Sequence, residues 1–220
     1  QKDTGTFIYR HMMICVPINK NSTRKLLPVL KKAQKVADIV EIWFDTGNFE
    51  EISEKIYVPV IYKVTKPNLK RIKLILRKIP RIHYIDFDIQ TKNSLIKAVK
   101  NISPKIKIIL SYHNFKKTPE IKELQKIVKK MIEKKADIIK IATHAKTYQD
   151  SVSMLGFLSQ ITTKGQKAIC LCMGKFGRLT RLTGHLFGNY LMYAPMRVAH
   201  KTAFGQVTIN ELQKILKSNN

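Results

Sequence analysis

Acidic side chains are scarce in this chain. Fifteen Asp and Glu stand against 41 Lys and Arg, a formal net charge of +26 over 220 residues. Long apolar runs are missing as well. No stretch approaches the roughly 18 residues that a membrane span needs, and no charged-then-apolar leader marks an export signal. Cysteine is sparse: Cys15, Cys170 and Cys172 each lie in an apolar, strand-like stretch with no histidine at metal-ligand spacing. That pattern suits buried, reduced thiols in a cytoplasmic protein better than disulfides or a metal site. A P-loop and a glycine-rich phosphate turn after the first strand are both absent. So are helix-turn-helix, zinc-finger and RNA-binding motifs, and the aromatics do not interleave with the basic runs. The excess charge is therefore read as a lysine-rich solvated surface. It could also draw in a small anionic substrate. Nucleic-acid binding rests on the +26 alone and ranks below an enzymatic role.

Hydrophobic residues make up 44% of the chain, enough for a sizeable core. Residues 1–12 carry no periodicity and are read as a leader or remnant outside the fold, leaving 13–220 as one domain. From Met13 onward, strands alternate with helix-like segments. The expected strands are 13–18, 38–45, 58–64, 83–89, 107–113, 136–143, 168–173 and 190–194, eight in all. Helical spacing is read over 22–37, 69–79, 94–102, from about Pro119 to Ile132, 151–161 and 209–216. Strands apolar on both faces and separated by helices imply a parallel sheet. Eight such units predict a single-domain α/β protein with a (β/α)₈ (TIM) barrel. An open doubly wound sheet is the alternative.

Chemistry in a parallel barrel collects where strands end. The central stretch is Ala136 to Thr143, a buried strand with Lys140 in its middle. Burying an ammonium is costly, so the proton affinity of Lys140 is expected to fall, giving the neutral amine that imine chemistry needs. His113 shares a strand face with Ile109 and Ser111, so it can point inward beside Lys140 as a general acid/base. Asp86 and Asp88 are candidates to orient this pair. Other polar residues at strand ends or in the following loops are Glu41, Lys63, Arg181 and Gln206.

The run Ile109-Leu110-Ser111-Tyr112-His113-Asn114-Phe115, followed by Thr118-Pro119, resembles a strand-five signature of type I 3-dehydroquinate dehydratase. Ala136 to Ala142 is similar to that family's Schiff-base strand. Met173-Gly174, Gly177 and Thr180-Arg181-Leu182 resemble its strand-seven loop, and Phe187-Gly188 with Ala203 to Gln206 its closing segment. The resemblance spans Met13 to Leu216. It implies a barrel enzyme of the shikimate pathway that uses neither cofactor nor metal, usually homodimeric, converting 3-dehydroquinate to 3-dehydroshikimate and water by syn elimination. In that reading Lys140 forms the imine, His113 moves the protons and Arg181 holds the substrate carboxylate. Thr202 and Gln206 clamp from a mobile loop, while Glu41 and Lys63 occupy substrate-binding positions.

The chain departs from the family pattern at several positions. Trp43 stands where an arginine is expected, Lys63 replaces a second arginine, and Val64 to Asn68 shortens a loop and removes its carboxylate. Near the C-terminus, Thr202 replaces a serine and Phe204 a proline. These changes keep open a second reading, a Schiff-base barrel with weakened activity or a changed substrate.

Overall fold

The computed structural model describes residues 13–20, 22–43, 47–197 and 205–217. The leader assigned to residues 1–12 lies outside these, as do the last residues of the expected second strand. Eight strands are present: β1 (Ile14–Ile18), β2 (Ile39–Ile42), β3 (Val60–Lys63), β4 (Ile82–Asp88), β5 (Lys107–Asn114), β6 (Ile138–His144), β7 (Ala168–Met173) and β8 (Met192–Tyr193). They lie in the order β8-β1-β2-β3-β4-β5-β6-β7, with every pair parallel.

The two ends of the sheet meet through a side chain. The Asn189 amide accepts from the Cys170 N–H (2.8 Å) and donates to the Cys170 carbonyl (3.2 Å), and the Tyr190 N–H donates to the Ala168 carbonyl (2.8 Å). β8 pairs with β1 at two positions only, so it spans two residues where five were expected. The single-domain barrel is as the strand-helix alternation predicts, nearly closed.

Helices α1 (Thr23–Ala33), α2 (Phe49–Lys55), α3 (Leu69–Lys78), α4 (Asn93–Ile102), α5 (Ile121–Glu133), α6 (Tyr148–Thr162), α7 (Arg178–Thr183) and α8 (Ile209–Lys217) link or follow the strands. The sequence reading missed α2. It carries a legible start: the Asn48 side chain accepts from the Glu51 N–H, acidic residues fill the first turn, and Phe49 and Ile52 are buried at helical spacing. The first helix ends four residues earlier than expected. Gln34 turns inward, donating to the Lys55 carbonyl and accepting from Tyr57 N–H, so it pins the α2–β3 loop. Many of the lysines lie on outer helix faces, among them Lys31, Lys32, Lys70, Lys73, Lys97, Lys122, Lys126 and Lys129. No helix among the described residues is long and apolar enough to cross a membrane.

The barrel interior has two tiers. The lower one is apolar and includes Cys15, Ile39, Ile61, Ile109, Ile138, Ile169 and Leu191, with Tyr84 and Tyr190 joined through their hydroxyls (2.9 Å). Two residues further along each strand, the same face turns polar on β2 to β6. Ile39 gives way to Glu41, Ile61 to Lys63, Tyr84 to Asp86, Ile109 to Ser111 and Ile138 to Lys140. The two-residue period of a strand therefore builds a charged layer directly on top of an oily one.

Candidate active site

Lys140 is at the centre of the upper tier, 5% exposed. Its Nζ donates to Asp86 Oδ2 (2.8 Å), Tyr193 Oη (2.8 Å) and Glu41 Oε2 (3.0 Å), which accounts for all three ammonium protons. The other Asp86 oxygen accepts from Lys63 Nζ (2.9 Å), and Lys63 also donates to Ser111 Oγ (2.8 Å). Two ammoniums thus face two carboxylates. A charged layer this deep is tolerated because it is electroneutral and its hydrogen bonds are made.

That pairing reverses the expectation for Lys140. Burial does disfavour its charge, but Asp86 and Glu41, by charge and by hydrogen bond, outweigh it and hold the amine above the ordinary lysine pKa. At rest Lys140 is an ammonium. Asp86 is also buried, yet Lys140 and Lys63 hold its carboxyl well below the usual range.

Lys63 was expected at the substrate, and the structure shows it engaged with a neighbouring strand. The register places it beside Asp86 on the adjacent strand, so its ammonium turns to that carboxylate and does not line the cavity. Asp88 is corrected too. It is exposed at the end of β4, where Oδ1 accepts the Gln90 N–H in a turn, and it orients neither Lys140 nor His113. Glu41 does line the cavity. Its oxygens, however, accept from Trp43 Nε1 (2.5 Å), Tyr193 Oη (2.6 Å) and Lys140, leaving little capacity for a substrate hydroxyl.

Above this floor lies a cavity of about 180 Å³, lined by Glu41, Trp43, His113, Phe115, Lys140, Ala142, Leu171, Met173, Arg181, Tyr193 and Gln206. On β5, Ser111 pairs with Lys140 and His113 with Ala142, so the imidazole sits one step above the lysine on the neighbouring strand. Its ring stacks on Phe115 (centroids 6.0 Å, planes 11° apart). Burial, reinforced by the two ammoniums, lowers the His113 pKa to about 4. It is a neutral imidazole at pH 7, able to accept a proton.

Arg181 comes from α7, which is tied tightly to the end of β7. Thr180 Oγ1 accepts from the Cys172 N–H (2.8 Å) and donates to the Gly177 carbonyl, and Arg181 Nε donates to the Cys172 carbonyl (3.0 Å). Gly177 permits this turn, since a Cβ there would stand 2.4 Å from the Cys172 oxygen. Arg181 is 4% exposed, and among the described residues no carboxylate pairs with its guanidinium. Burial lowers its pKa to about 10, so it stays cationic at neutral pH. Gln206 reaches the cavity because Gly205, at φ +83°, packs its backbone against Gly174, with no room for a Cβ. Thr202 lies outside the described residues.

Sequence reasoning missed Tyr193. The signal was present, because alternation from Leu191 turns Tyr193 inward and β8 pairs it with Cys15. Nothing in the sequence, however, says that its hydroxyl meets Lys140. The thiols of Cys15, Cys170 and Cys172 are buried and free.

Fold and site together define a (β/α)₈ barrel whose lysine-centred cavity is lined by a neutral histidine and a buried arginine. The type I 3-dehydroquinase family model matches residues 14–220, and the chain belongs to that family. The 3-dehydroquinate dehydratases of Methanococcus maripaludis and Methanocaldococcus jannaschii are 34% and 33% identical to it, covering 93% and 92% of this chain and 99% and 97% of theirs. Among solved structures, the type I 3-dehydroquinate dehydratase of Clostridium difficile with covalently modified comenic acid matches with TM-score 0.79. It is 23% identical, with 94% of this chain and 92% of that one covered. The Aquifex aeolicus 3-dehydroquinate dehydratase matches with TM-score 0.74 at 25% identity, covering 95% and 99%.

Proposed function

We propose that this chain dehydrates 3-dehydroquinate to 3-dehydroshikimate and water through an imine on Lys140. The observation that carries the reading is the buried Lys140, held at the floor of a cavity that also holds His113, a neutral imidazole, and Arg181, which has no carboxylate partner among the described residues. Arg181 binds the substrate carboxylate, for which a planar fork suits the geometry. Once deprotonated, Lys140 adds to the ketone and water leaves, forming an iminium. That cation acidifies the adjacent C–H, whose proton His113 takes to give the enamine. The enamine electrons expel the hydroxyl on the next carbon, and His113 returns its proton to that leaving oxygen. Hydrolysis of the conjugated iminium releases the product and restores Lys140. Gln206 and Thr202 serve as the polar clamp.

Borohydride reduction in the presence of 3-dehydroquinate tests the reading. A mass shift on the peptide carrying Lys140 is expected, together with formation of the ultraviolet-absorbing conjugated product. Folded protein with neither overturns it.

A second reading, weakened activity or a changed substrate, is favoured by one observation. Trp43 and Tyr193 occupy Glu41, and Lys63 is withdrawn to Asp86, so the groups expected to read substrate hydroxyls are engaged elsewhere. Turnover of 3-dehydroquinate at the level of the methanogen relatives would discard this variant of the reading.

The protein works as a cytoplasmic homodimer that associates through α6. In a chain of net charge +26, like copies meet most readily on a face without lysines. The outer face of α6 carries Tyr148, Gln149, Val152, Gly156 and Gln160, all exposed and uncharged. The Val152→Lys variant should elute as a monomer where the wild type elutes as a dimer, and a wild-type monomer rules the dimer out.

A further inference from the structure

Lys140 cannot attack a carbonyl as an ammonium, yet the floor is arranged to keep it one. Its proton has to leave as the substrate arrives. His113 is not placed to take it directly, since among the described residues no hydrogen bond joins His113 to Lys140. Asp86 is a poor destination, because its second oxygen is already neutralised by Lys63. What remains is the pair formed by Tyr193 and Glu41. The phenol accepts from Lys140 Nζ at 2.8 Å and donates to Glu41 Oε2 at 2.6 Å, both shorter than the direct 3.0 Å path from Nζ to that oxygen.

We propose that Tyr193 is a positioning residue for the imine chemistry: its hydroxyl seats Lys140 and relays the activating proton from Nζ to Glu41. As the N–H bond of Lys140 breaks, its electron pair stays on nitrogen and becomes the nucleophilic lone pair. The proton joins the phenol oxygen while the phenol's own proton passes to Glu41 Oε2. Tyr193 ends with the single O–H it began with. Lys140 and Glu41 go from a +1/−1 pair to two neutral groups, so the net charge of the buried layer does not change. A transfer that leaves no uncompensated charge avoids the main cost of acid/base work in a dry site. Tyrosinate does not accumulate, because burial, and then the charge of Glu41, push the phenol well above its ordinary pKa. Hydrolysis of the imine at the end of the cycle runs the relay backwards.

The inference rests on the imine assignment above, and the experiment separates the two. Tyr193→Phe keeps the ring, whose centroid lies 4.3 Å from Nζ, and deletes only the hydroxyl. Borohydride trapping at pH 7 should slow by about 10²-fold, with kcat falling in parallel and KM nearly unchanged. Trapping should then recover as pH rises, because hydroxide takes over the proton. Glu41→Gln keeps an acceptor but holds no proton in transit, so it should show a comparable loss. The double variant should be no slower than the worse single one. On the wild type, a proton inventory of the trapping step should curve, reporting two protons in flight. Wild-type trapping rates and pH dependence in Tyr193→Phe, additive losses, or a linear inventory overturn the relay and leave the imine assignment standing. A wild type that traps no adduct overturns both.

Discussion

The floor of the cavity and its β7–α7 wall each bury a cation, and they treat it in opposite ways. On the floor, Lys140 spends all three protons on Asp86, Glu41 and Tyr193, and its charge is balanced before any substrate arrives. On the wall, Arg181 is as deeply buried, and among the described residues it holds a backbone carbonyl and no carboxylate. Burial pulls both cations toward neutrality; only the floor supplies carboxylates that reverse the effect. A buried charge with partners is a structural element that chemistry must first disarm. A buried charge without partners is a binding site, since an incoming anion relieves a cost already present in the free protein.

Breaking the floor should have the largest effects. Lys140→Met removes the nucleophile, and turnover should fall by about 10⁴-fold or more with no borohydride adduct in the mass spectrum. Asp86→Ala leaves two ammoniums facing one carboxylate, and chemical denaturation should report a loss of about 3–5 kcal/mol. Breaking the wall should look different. Arg181→Met should raise KM by about 10²-fold while stability holds or rises, because a buried charge with no carboxylate partner among the described residues is replaced by an apolar side chain of similar length. If Arg181→Met destabilises as Asp86→Ala does, the contrast between floor and wall collapses.

The smallest effect concerns pH. With the His113 pKa lowered to about 4 from an ordinary 6.5, the folded state binds fewer protons than the unfolded state between those values. Its contribution to stability is therefore full above about pH 6.5 and declines as pH falls toward 4. Thermal melts of His113→Gln against wild type should converge as pH falls through this window. Wild-type kcat/KM should keep His113 as a base down to about pH 4, with no acid limb near 6.5 from this residue.

Much of the barrel was legible because period-two apolar strands and period-3.6 helices leave separate marks on the sequence. Helix α2 was overlooked although Asn48, Glu51, Phe49 and Ile52 spell its start and buried face. The brevity of β8 was not legible, since it depends on how far β8 pairs with β1. At the site, Glu41, His113, Lys140, Arg181 and Gln206 were named from sequence and do converge on one cavity. Lys63 and Asp88 turn to partners that strand-end position alone did not reveal. Register gave Lys63 to Asp86, and the turn after β4 gave Asp88 to Gln90.

By itself the sequence determined which side chain each strand turns inward, because the two-residue repeat is a local property of extended backbone. It therefore determined that two lysines, a histidine and two carboxylates face the barrel axis, Lys140 among them. The charge state of that lysine was decided only in the folded barrel. Glu41 lies 99 residues from Lys140, Asp86 54 and Tyr193 53. Whether burial lowers an amine's proton affinity or raises it depends on which groups stand within hydrogen-bonding distance, and only the closing of the barrel brings these to Lys140.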